Sequence, residues 1–472
     1  MAQPLVLNED RLFPLDPTAR DIARRLYAEI KNLPIVSPHG HTNPQWFAED
    51  PAFPNPTALF LVPDHYIFRM LYSQGISLES LGVPHLDGTG AEPDPRKSWR
   101  IFAENYYLFR GTPTRMWTDY TFYNVFGIRK AFGPETADEI YDIIQDKLNQ
   151  PEFRPRALFK EYNMEVISTT ESPLDDLRYH KAVKESGWDG RVVTAYRPDP
   201  VVDPDFGGFV DNIAQLGELT GEDTSTWKGY LAALMQRRLY FKEHGGCTST
   251  DHGHPTALTA DLGAGECDAL FNKVVNGRNT AEEAELFRAQ MLTEMARMSL
   301  EDGMTMQIHP GSVRNHNPHL LETFGRDKGA DIPSQTEYVR SLMPLLNKYG
   351  NEKDLTLILF MLDESAQSRE MAPLAGHYPC LRLGPSWWFF DSPEGMMRFR
   401  RNVTETAGFY NTVGFNDDTR AFLSIPARHD VARRVDCAYL AELVADHRLD
   451  EDEAREVAVD LTYNLVKKAY KL

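Results

Sequence analysis

Short apolar runs alternate with amphipathic stretches along most of the chain. The apolar runs predict buried strands at residues 35–38, 165–168, 191–194, 247–250, 304–308, 355–360, 381–383 and 412–415. Most of these strands are followed by a helix-like segment, which is the order expected of a parallel α/β fold. Eight strands in this order predict a (β/α)₈ barrel of the TIM type.

Capping residues mark several helix boundaries. Asp16 and Pro17 predict an N-cap and a first turn for a helix that continues to Asn32. Thr280 and Glu283 form a capping box for a helix at about 280–302. Further helices are predicted from Pro173, over about 225–243, over 334–349, from Ser365, from Ser392, and over about 426–446 and 450–470.

Residues 45–160 interrupt the alternation. This stretch is rich in aromatic residues and proline, shows no clear strand, and is too long for an ordinary connection. We therefore predict a mainly helical subdomain at 45–160, inserted after the first strand of a barrel domain made of residues 1–44 and 161–472.

Composition narrows the functional classes. A chain of 472 residues with 42% hydrophobic and 25% charged residues is ordinary for a globular enzyme. The net charge of −19 argues against nucleic-acid binding, which needs a basic surface. No apolar run approaches the ~20 residues that span a bilayer, and residues 1–20 do not resemble a signal peptide. The four cysteines are far apart without a CxxC motif, which favours reduced thiols and a cytoplasmic location.

Two histidines directly follow the first predicted strand. Residues i and i+2 of an extended chain share a face, so the imidazoles of His39 and His41 point the same way. Such a pair suits a divalent metal such as zinc. His252 and His254 have the same spacing, so the motif alone does not choose between the two pairs.

Closure of the barrel supplies a third ligand. The eighth strand would pair with the first, which places Asp418 beside His39 and His41. Three protein ligands leave open positions for water or substrate, as catalytic metal sites require. Asp417 is an alternative ligand, and the turn-like sequence at 416–419 also allows a structural N-cap or turn role for Asp418.

Arginines form a second group of candidate residues. Arg197 follows the third strand, while Arg314 and Arg420 follow His309 and Asp418. A guanidinium binds a carboxylate in bidentate fashion, so several of them near one pocket of an acidic protein suggest a carboxylate-bearing substrate. The alternative for each arginine is a surface or structural ion pair.

Other polar and aromatic side chains also lie just after predicted strands, where catalytic groups of such barrels are found. These positions include Glu171, Asp251, His309, Asp363, Trp387 and Trp388. In the inserted segment, His65 and Tyr66 either relay protons or form a buried hydrogen-bonded pair. Polar loops are common without function, and that remains the alternative for the group as a whole.

Together these residues resemble the uronate isomerase (glucuronate isomerase) family, a divergent branch of the amidohydrolase superfamily. The resemblance covers nearly the whole chain, through residues 38–41, 64–66 with Arg69, 169–170, 173–180, 197–199, 251–253, His309 with 314–315, 384–388, and 418–424 with 428–429. The sequence departs from the family pattern at Glu171 and Ser172, at Pro310, and at Pro385. None of these departures removes a proposed ligand.

The resemblance implies an aldose–ketose isomerase of hexuronate catabolism. It would interconvert D-glucuronate and D-fructuronate, and D-galacturonate and D-tagaturonate, by proton transfer through a cis-enediol. It also implies one divalent metal ion, with zinc preferred, on His39, His41 and Asp418. Two-metal hydrolases of the superfamily usually have a bridging lysine at the fourth strand, where this chain has Asp251 and His252.

The resemblance also suggests roles for the remaining candidates. Asp418, or a water on the metal, would contribute the base, and Tyr66 and His65 would move protons. The substrate would be held and enclosed by Arg197, Arg314, Arg420, Asp251, His309 and Trp387. The alternatives are a mononuclear metal hydrolase acting on a carboxylate-bearing lactone or amide, and a carboxylate-binding protein without catalysis. A homo-oligomer is possible, and neither nucleic acid nor membrane is an expected partner.

Overall fold

The computed structural model describes residues 3–385 and 387–472. The strands are β1 (Ile35–Ser37), β2 (Met164–Glu171), β3 (Arg191–Tyr196), β4 (Ser249–His252), β5 (Thr305–Ile308), β6 (Ser312–Val313), β7 (Ile332–Pro333), β8 (Leu357–Leu359) and β9 (Leu381–Leu383). Seven of the described strands form one parallel sheet in the order β1-β2-β3-β4-β5-β8-β9, while β6 and β7 form a short antiparallel ladder. The parallel pairing brings the carboxyl ends of the seven strands to one end of the sheet.

The eighth predicted strand, at 412–415, lies in the expected place but is wrong as a strand. Thr412 makes a single parallel bridge with Leu383. The backbone of Gly414 has a φ of +79°, a left-handed conformation that turns the chain out of the extended direction. The ladder therefore stops after one bridge.

A backbone contact joins the end of this segment to the first strand. The N–H of His41 donates to the carbonyl of Thr419 at 3.1 Å. The curled sheet and the segment at 412–419 thus surround a common centre, and the predicted (β/α)₈ fold class is confirmed.

Helices cover the outside of the sheet. The α-helices of the first half are α1 (Pro17–Ile30), α2 (Pro44–Glu49), α3 (His65–Tyr72), α4 (Pro95–Glu104), α5 (Pro113–Tyr120), α6 (Ala137–Leu148), α7 (Pro155–Glu161), α8 (Arg178–Glu185), α9 (Asp199–Val202), α10 (Phe209–Thr220) and α11 (Trp227–Gly245). Those of the second half are α12 (Ala264–Val275), α13 (Ala281–Asp302), α14 (Pro318–Phe324), α15 (Met343–Tyr349), α16 (Ala372–Ala375), α17 (Pro393–Ala407), α18 (Ile425–Ala445), α19 (Glu451–Val459) and α20 (Leu465–Tyr470). None of the helices in the described parts of the chain is long and apolar enough to cross a membrane.

Short turns of other helical types complete the elements. Turns of π-helix lie at Thr57–Leu61, Thr121–Val125, Gln367–Met371 and Asp460–Asn464, and 3₁₀ turns lie at Glu79–Leu81, Tyr106–Phe109, Pro151–Phe153, Trp388–Phe390 and Phe422–Ser424. The π turn at 460–464 connects α19 to α20, so the last predicted helix is one nearly continuous helical segment.

The predicted caps are confirmed. The carboxylate of Asp16 accepts the N–H of Ala19 at 2.9 Å at the start of α1. The hydroxyl of Thr280 accepts the N–H of Glu283 at 3.2 Å, and the Glu283 carboxylate accepts the N–H of Thr280 in return. These contacts satisfy N–H groups that a helix leaves unpaired at its first turn.

Three predicted boundaries are wrong. The helix predicted from Pro173 begins only at Arg178, because the carbonyls of Pro173 and Asp175 accept hydrogen bonds from the Arg237 guanidinium and not from a helix backbone. The fourth strand begins at Ser249 rather than at residue 247, because its pairing with β5 covers residues 249–252. The helix predicted over 334–349 is helical only from Met343. The N–H groups of Thr336 and Tyr338 instead donate to the side chains of Asp363 and Glu370, so they are unavailable to a helix.

The segment at 45–160, all of it described, contains helices and turns but no strand, as predicted. Its aromatic core includes Trp99, Phe102 and Phe122, which are fully buried. The same apolar cluster continues into Ile35 of β1 and Ile167 of β2. The segment therefore shares its core with the barrel, and its status as a separate subdomain stays a prediction.

Candidate active site

A cavity of about 860 Å³ opens at the carboxyl ends of the strands. It is large enough for a monosaccharide-sized ligand. All the predicted site residues line it: His39, His41, His65, Tyr66, Arg197, Asp251, His309, Arg314, Trp387, Asp418 and Arg420. The structure thus brings together residues from the barrel and from the helical insertion.

His39, His41 and Asp418 lie together at the base of the cavity. Oδ1 of Asp418 is 3.1 Å from Nε2 of His41 and 3.5 Å from Nε2 of His39. Ligands bound at 2.0–2.2 Å to a tetrahedral ion stand roughly 3.4 Å apart, so these separations match a three-ligand site. Asp418 has a φ of +38°, which turns its side chain away from the regular strand direction.

The bonding of these groups also fits a metal ion. Oδ1 of Asp418 is buried and has no hydrogen-bond partner among the described residues, although both imidazoles are near it. The three side chains therefore converge on a shared point. Among the residues that the structure describes, they form the one group of three or more potential ligands close enough to hold an ion.

Asp417, the alternative ligand, faces elsewhere. Its Oδ2 lies 3.0 Å from Nε2 of His429 on α18. It is 2% exposed and is absent from the cavity wall, so the two neighbouring aspartates have different environments. The sequence could not separate them because a turn allows either side chain to point inward.

Trp387 contacts Asp418 directly. Its indole N–H donates to Oδ2, the carboxylate oxygen that does not face the histidines. Burial would raise the pKa of Asp418, but His41, His39 and this indole together hold it well below its usual value. Trp387 was predicted to enclose the substrate, and the structure shows that it also orients the carboxylate.

His65 and Tyr66 form the first turn of α3, which begins at Asp64. The Asp64 carboxylate caps this helix by accepting the N–H of Tyr66 at 2.9 Å. The two rings stack with centroids 4.8 Å apart. Burial and, more weakly, Asp391 raise the pKa of Tyr66, while burial and Arg420 lower the pKa of His65 to about 3.

These shifts define the protonation of the two groups. At neutral pH Tyr66 keeps its proton and is a donor, while His65 is uncharged. A neutral imidazole beside a protonated phenol can pass or accept a proton, which is the predicted relay. The two rings stack on each other, and the relay role of the pair stays a prediction.

Each of the three arginines contacts an aspartate. Arg197 pairs with Asp199 at 2.9 Å and with Asp251 at 3.3 Å. Arg314 pairs with Asp331 at 3.0 Å, and Arg420 pairs with Asp327 at 2.8 Å. The arginines therefore line the cavity as predicted, but all of them also carry an internal ion pair.

Asp251 and His309 meet below the arginines. Nε2 of His309 is 2.6 Å from Oδ1 of Asp251, which is fully buried. Burial opposes the charge on Asp251, yet His309, Arg197 and His39 hold its pKa well below the usual range. A lasting negative charge thus lies close to His39 and to Arg197.

The second histidine pair lies outside the cavity. His252 and His254 are buried, and Nε2 of His252 is 3.0 Å from the hydroxyl of Thr250. Neither ring is part of the cavity wall. The motif alone did not choose between the two pairs, and this placement favours His39 and His41 as the candidate metal pair.

Several residues near the site were not assigned a role from the sequence, although Arg428 lies in a segment that carries the family resemblance. Asp327 and Asp331 lie in a glycine-containing loop that is typical of a solvent-exposed turn. Asp391 and Arg428 form a buried ion pair of 2.7 Å, and the guanidinium lies 5.4 Å from the Tyr66 ring. Their spacing along the chain carries no signal, because the partners come from distant segments.

The chain is similar along nearly its whole length to proteins of one family. A family model described as glucuronate isomerase matches residues 12–470. The chain belongs to the glucuronate isomerase family. A uronate isomerase of Rhizorhabdus wittichii is 64% identical over 471 residues, which cover 100% of both chains.

Solved structures agree with this family assignment. A glucuronate isomerase from Caulobacter crescentus has a TM-score of 0.98 at 60% identity and covers 99% of this chain and 98% of its own. A uronate isomerase from Thermotoga maritima has a TM-score of 0.91 at 29% identity, covering 98% and 99% of the two chains. The predicted family is confirmed, the chain is an enzyme of the isomerase class, and the hydrolase and non-catalytic alternatives are not favoured.

Proposed function

We propose that this glucuronate isomerase family member interconverts D-glucuronate with D-fructuronate, and D-galacturonate with D-tagaturonate. The observation that carries the proposal is the meeting of three kinds of group in one cavity. The metal-ligand group supplies charge stabilisation, and the protonated Tyr66 supplies a proton donor. The arginines supply recognition of the substrate carboxylate. These are the requirements of aldose–ketose isomerisation of a sugar acid.

We assign one divalent ion, with zinc preferred, to His39, His41 and Asp418. The donor set of two imidazoles and one carboxylate is typical of a catalytic zinc site. When bound, such an ion would polarise a substrate oxygen and stabilise negative charge that develops on it. Trp387 supports this set because its N–H fixes the orientation of the Asp418 carboxylate.

Proton transfer from C2 to C1 is assigned to side chains of the cavity. Asp418 is ionised at neutral pH and is the candidate base for the C2 proton. Tyr66 keeps its proton and would move it between the C1 and C2 oxygens as the cis-enediol forms and decays. His65 stacks on Tyr66 and would accept or return a proton in the same relay.

Arg197, Arg314 and Arg420 are assigned to the substrate. At least one guanidinium would bind the C6 carboxylate in bidentate fashion, and the others would contact hydroxyl oxygens. Asp251 and His309 would accept or donate hydrogen bonds to hydroxyls deeper in the cavity, where Trp387 closes the wall. The preferred epimer depends on these hydroxyl contacts.

The decisive experiment is a coupled assay with both uronates, with and without a chelator. Turnover of a uronate that is lost on chelation and restored by zinc is expected. Running the reaction in heavy water should place deuterium in the product, because the proton exchanges on the relay. Product without solvent deuterium would indicate a hydride shift and contradict the scheme, and an Asp418→Asn variant with full turnover would exclude that residue from the chemistry.

Partners and location are also proposed. The acidic charge of the chain argues against nucleic acid, and the separated cysteines, which are all buried and free, suit a reducing cytoplasm. A homo-oligomer is a further possibility that sedimentation would test. We also propose that residues 45–160 form the inserted subdomain, which contributes His65 and Tyr66 to the site.

A further inference from the structure

The ion pair of Arg420 and Asp327 lies at the mouth of the cavity. Nη2 of Arg420 is 2.8 Å from Oδ2 of Asp327, and both side chains are partly exposed, at 38% and 46%. Both residues line the cavity. The pair joins the segment after the metal ligand Asp418 to a loop that is 93 residues away in sequence.

Asp327 is held in place by a strap, which we define as residues 314–331. The ends of the strap are joined by the β6–β7 ladder and by the Arg314–Asp331 ion pair. Gly325, Asp327 and Gly329 have φ values of +84°, +62° and +72°, so the loop turns sharply on both sides of the aspartate.

The strap also rests on α3. A Cβ atom on Gly329 would lie 2.7 Å from Cβ of Arg69 and 3.1 Å from the carbonyl oxygen of His65. Only glycine allows this approach, because any side chain would push the strap away from the helix. The position of Asp327 is therefore set by close packing on the helix that carries His65 and Tyr66.

The carboxylate of Asp327 lies in the field of all three cavity arginines. Burial would raise its pKa, but Arg420 above all, with Arg197 and Arg314, holds it well below the usual value. A substrate carboxylate would be attracted to the same positive region. Asp327 and the substrate thus present the same chemical group to the same guanidinium.

We propose that Asp327 is an affinity-determining residue that competes with the carboxylate of the sugar acid for Arg420. This inference rests on the proposed function, because it requires that Arg420 binds the substrate carboxylate. When a sugar acid binds, Arg420 exchanges one carboxylate partner for another, so only the difference between the two ion pairs contributes to affinity. Removing the charge of Asp327 should therefore strengthen the binding of sugar acids.

The test is the Asp327→Asn variant. Asparagine tolerates a left-handed backbone and keeps the shape of the side chain, so the strap should fold as before. Asp327→Gly is a second variant that also suits this backbone. The matched control is Asp205→Asn, because Asp205 also lines the cavity but pairs with Arg288 instead of a cavity arginine.

The measurement is calorimetric titration with L-gulonate, which is D-glucuronate with its aldehyde reduced and so cannot isomerise. An exposed ion pair changes an equilibrium by up to about fivefold. We expect Asp327→Asn and Asp327→Gly to lower the Kd for L-gulonate by about three- to fivefold, with a parallel fall in KM for the uronate. Asp205→Asn should leave both constants unchanged within error.

Other outcomes overturn the inference. An unchanged Kd would show that Asp327 does not compete, and a raised Kd would show that it contacts the substrate favourably. An equal fall in the Asp205→Asn control would reveal a general charge effect. If the unaltered protein binds L-gulonate but does not turn over a uronate, the proposed function is refuted. The titrations would still show whether Asp327 competes with the ligand carboxylate for Arg420.

Discussion

Trp387 donates its indole N–H to one oxygen of Asp418, and the other oxygen of that carboxylate faces His39 and His41. The carboxylate is therefore held from behind by the protein and presents a single oxygen to the histidines. A group held in this way loses little freedom when it binds an ion, which favours binding.

Replacing Trp387 by phenylalanine should weaken zinc binding by about 10- to 100-fold, as is typical when a partner of a metal ligand is lost. Competition with a chromogenic chelator would measure the Kd for zinc. The matched control is Trp388→Phe, because the indole nitrogen of Trp388 is buried without a hydrogen-bond partner among the described residues. Equal weakening in both variants would contradict the orienting role of Trp387.

Zinc should stabilise the chelator-treated protein against heat. An ion that binds only the folded state adds about 2.7 kcal/mol to the free energy of unfolding at 100 times its Kd, enough to raise the unfolding temperature by several degrees. His41→Ala should abolish this increase. His254→Ala alters the second histidine pair and should keep it, since His254 lies outside the cavity. If only the His254 variant loses the stabilisation by zinc, the metal site lies at His252 and His254 instead.

Tyr66→Phe should lower kcat by about 10²- to 10⁴-fold with little change in KM or in the unfolding temperature. Phenylalanine keeps the ring that stacks on His65, so we expect the fold to be preserved. Tyr106 is the opposite case, because its hydroxyl donates to Asp119 at 2.9 Å inside the insertion. Tyr106→Phe should cost about 1 kcal/mol of stability and leave kcat unchanged. A Tyr66→Phe variant with normal kcat would remove the phenol from the relay.

Stability should depend on pH through Glu171. Burial raises the pKa of its carboxyl to about 7, against hydrogen bonds from Thr194 and Thr169. The folded protein therefore holds this proton more tightly than the unfolded chain, and the resulting stability is lost as the pH rises from about 4.5 through 7. Glu171→Gln should raise the free energy of unfolding by about 1–3 kcal/mol at pH 8 and leave it unchanged at pH 4.5.

A glutamate on the same strand provides the control for this pH effect. Burial raises the pKa of Glu165, but hydrogen bonds from Lys467 and Tyr463 outweigh this effect and hold the pKa below its usual value. The ionised Glu165 carboxylate therefore stabilises the folded protein at pH values above its ordinary pKa. Glu165→Gln should accordingly lower the unfolding temperature at pH 8. Thermal unfolding of both variants at pH 4.5 and pH 8 would check the two signs. A Glu171→Gln variant that is less stable at pH 8 would contradict the burial argument.

The strand ends were predictable to within a few residues where apolar side chains form a short, uninterrupted run. Leu357–Leu359 lies within the predicted run at 355–360, and Leu381–Leu383 matches its prediction. The errors arose at a glycine with a left-handed backbone and at a boundary that long-range strand pairing decides. Gly414 ends the eighth segment through a left-handed backbone, and pairing with β5 shifts β4 by two residues from the predicted start.

The sequence by itself determined the alternation of strands and helices, the two-residue spacing of His39 and His41, and the position of Asp418 beyond the last segment. These follow from local periodicity and from the closure of a barrel. Only the tertiary structure decided which aspartate faces the histidines, that Trp387 holds it, and that Asp327 pairs with Arg420. Those relationships join segments far apart in the chain, and side-chain direction at a turn depends on packing that no local pattern encodes.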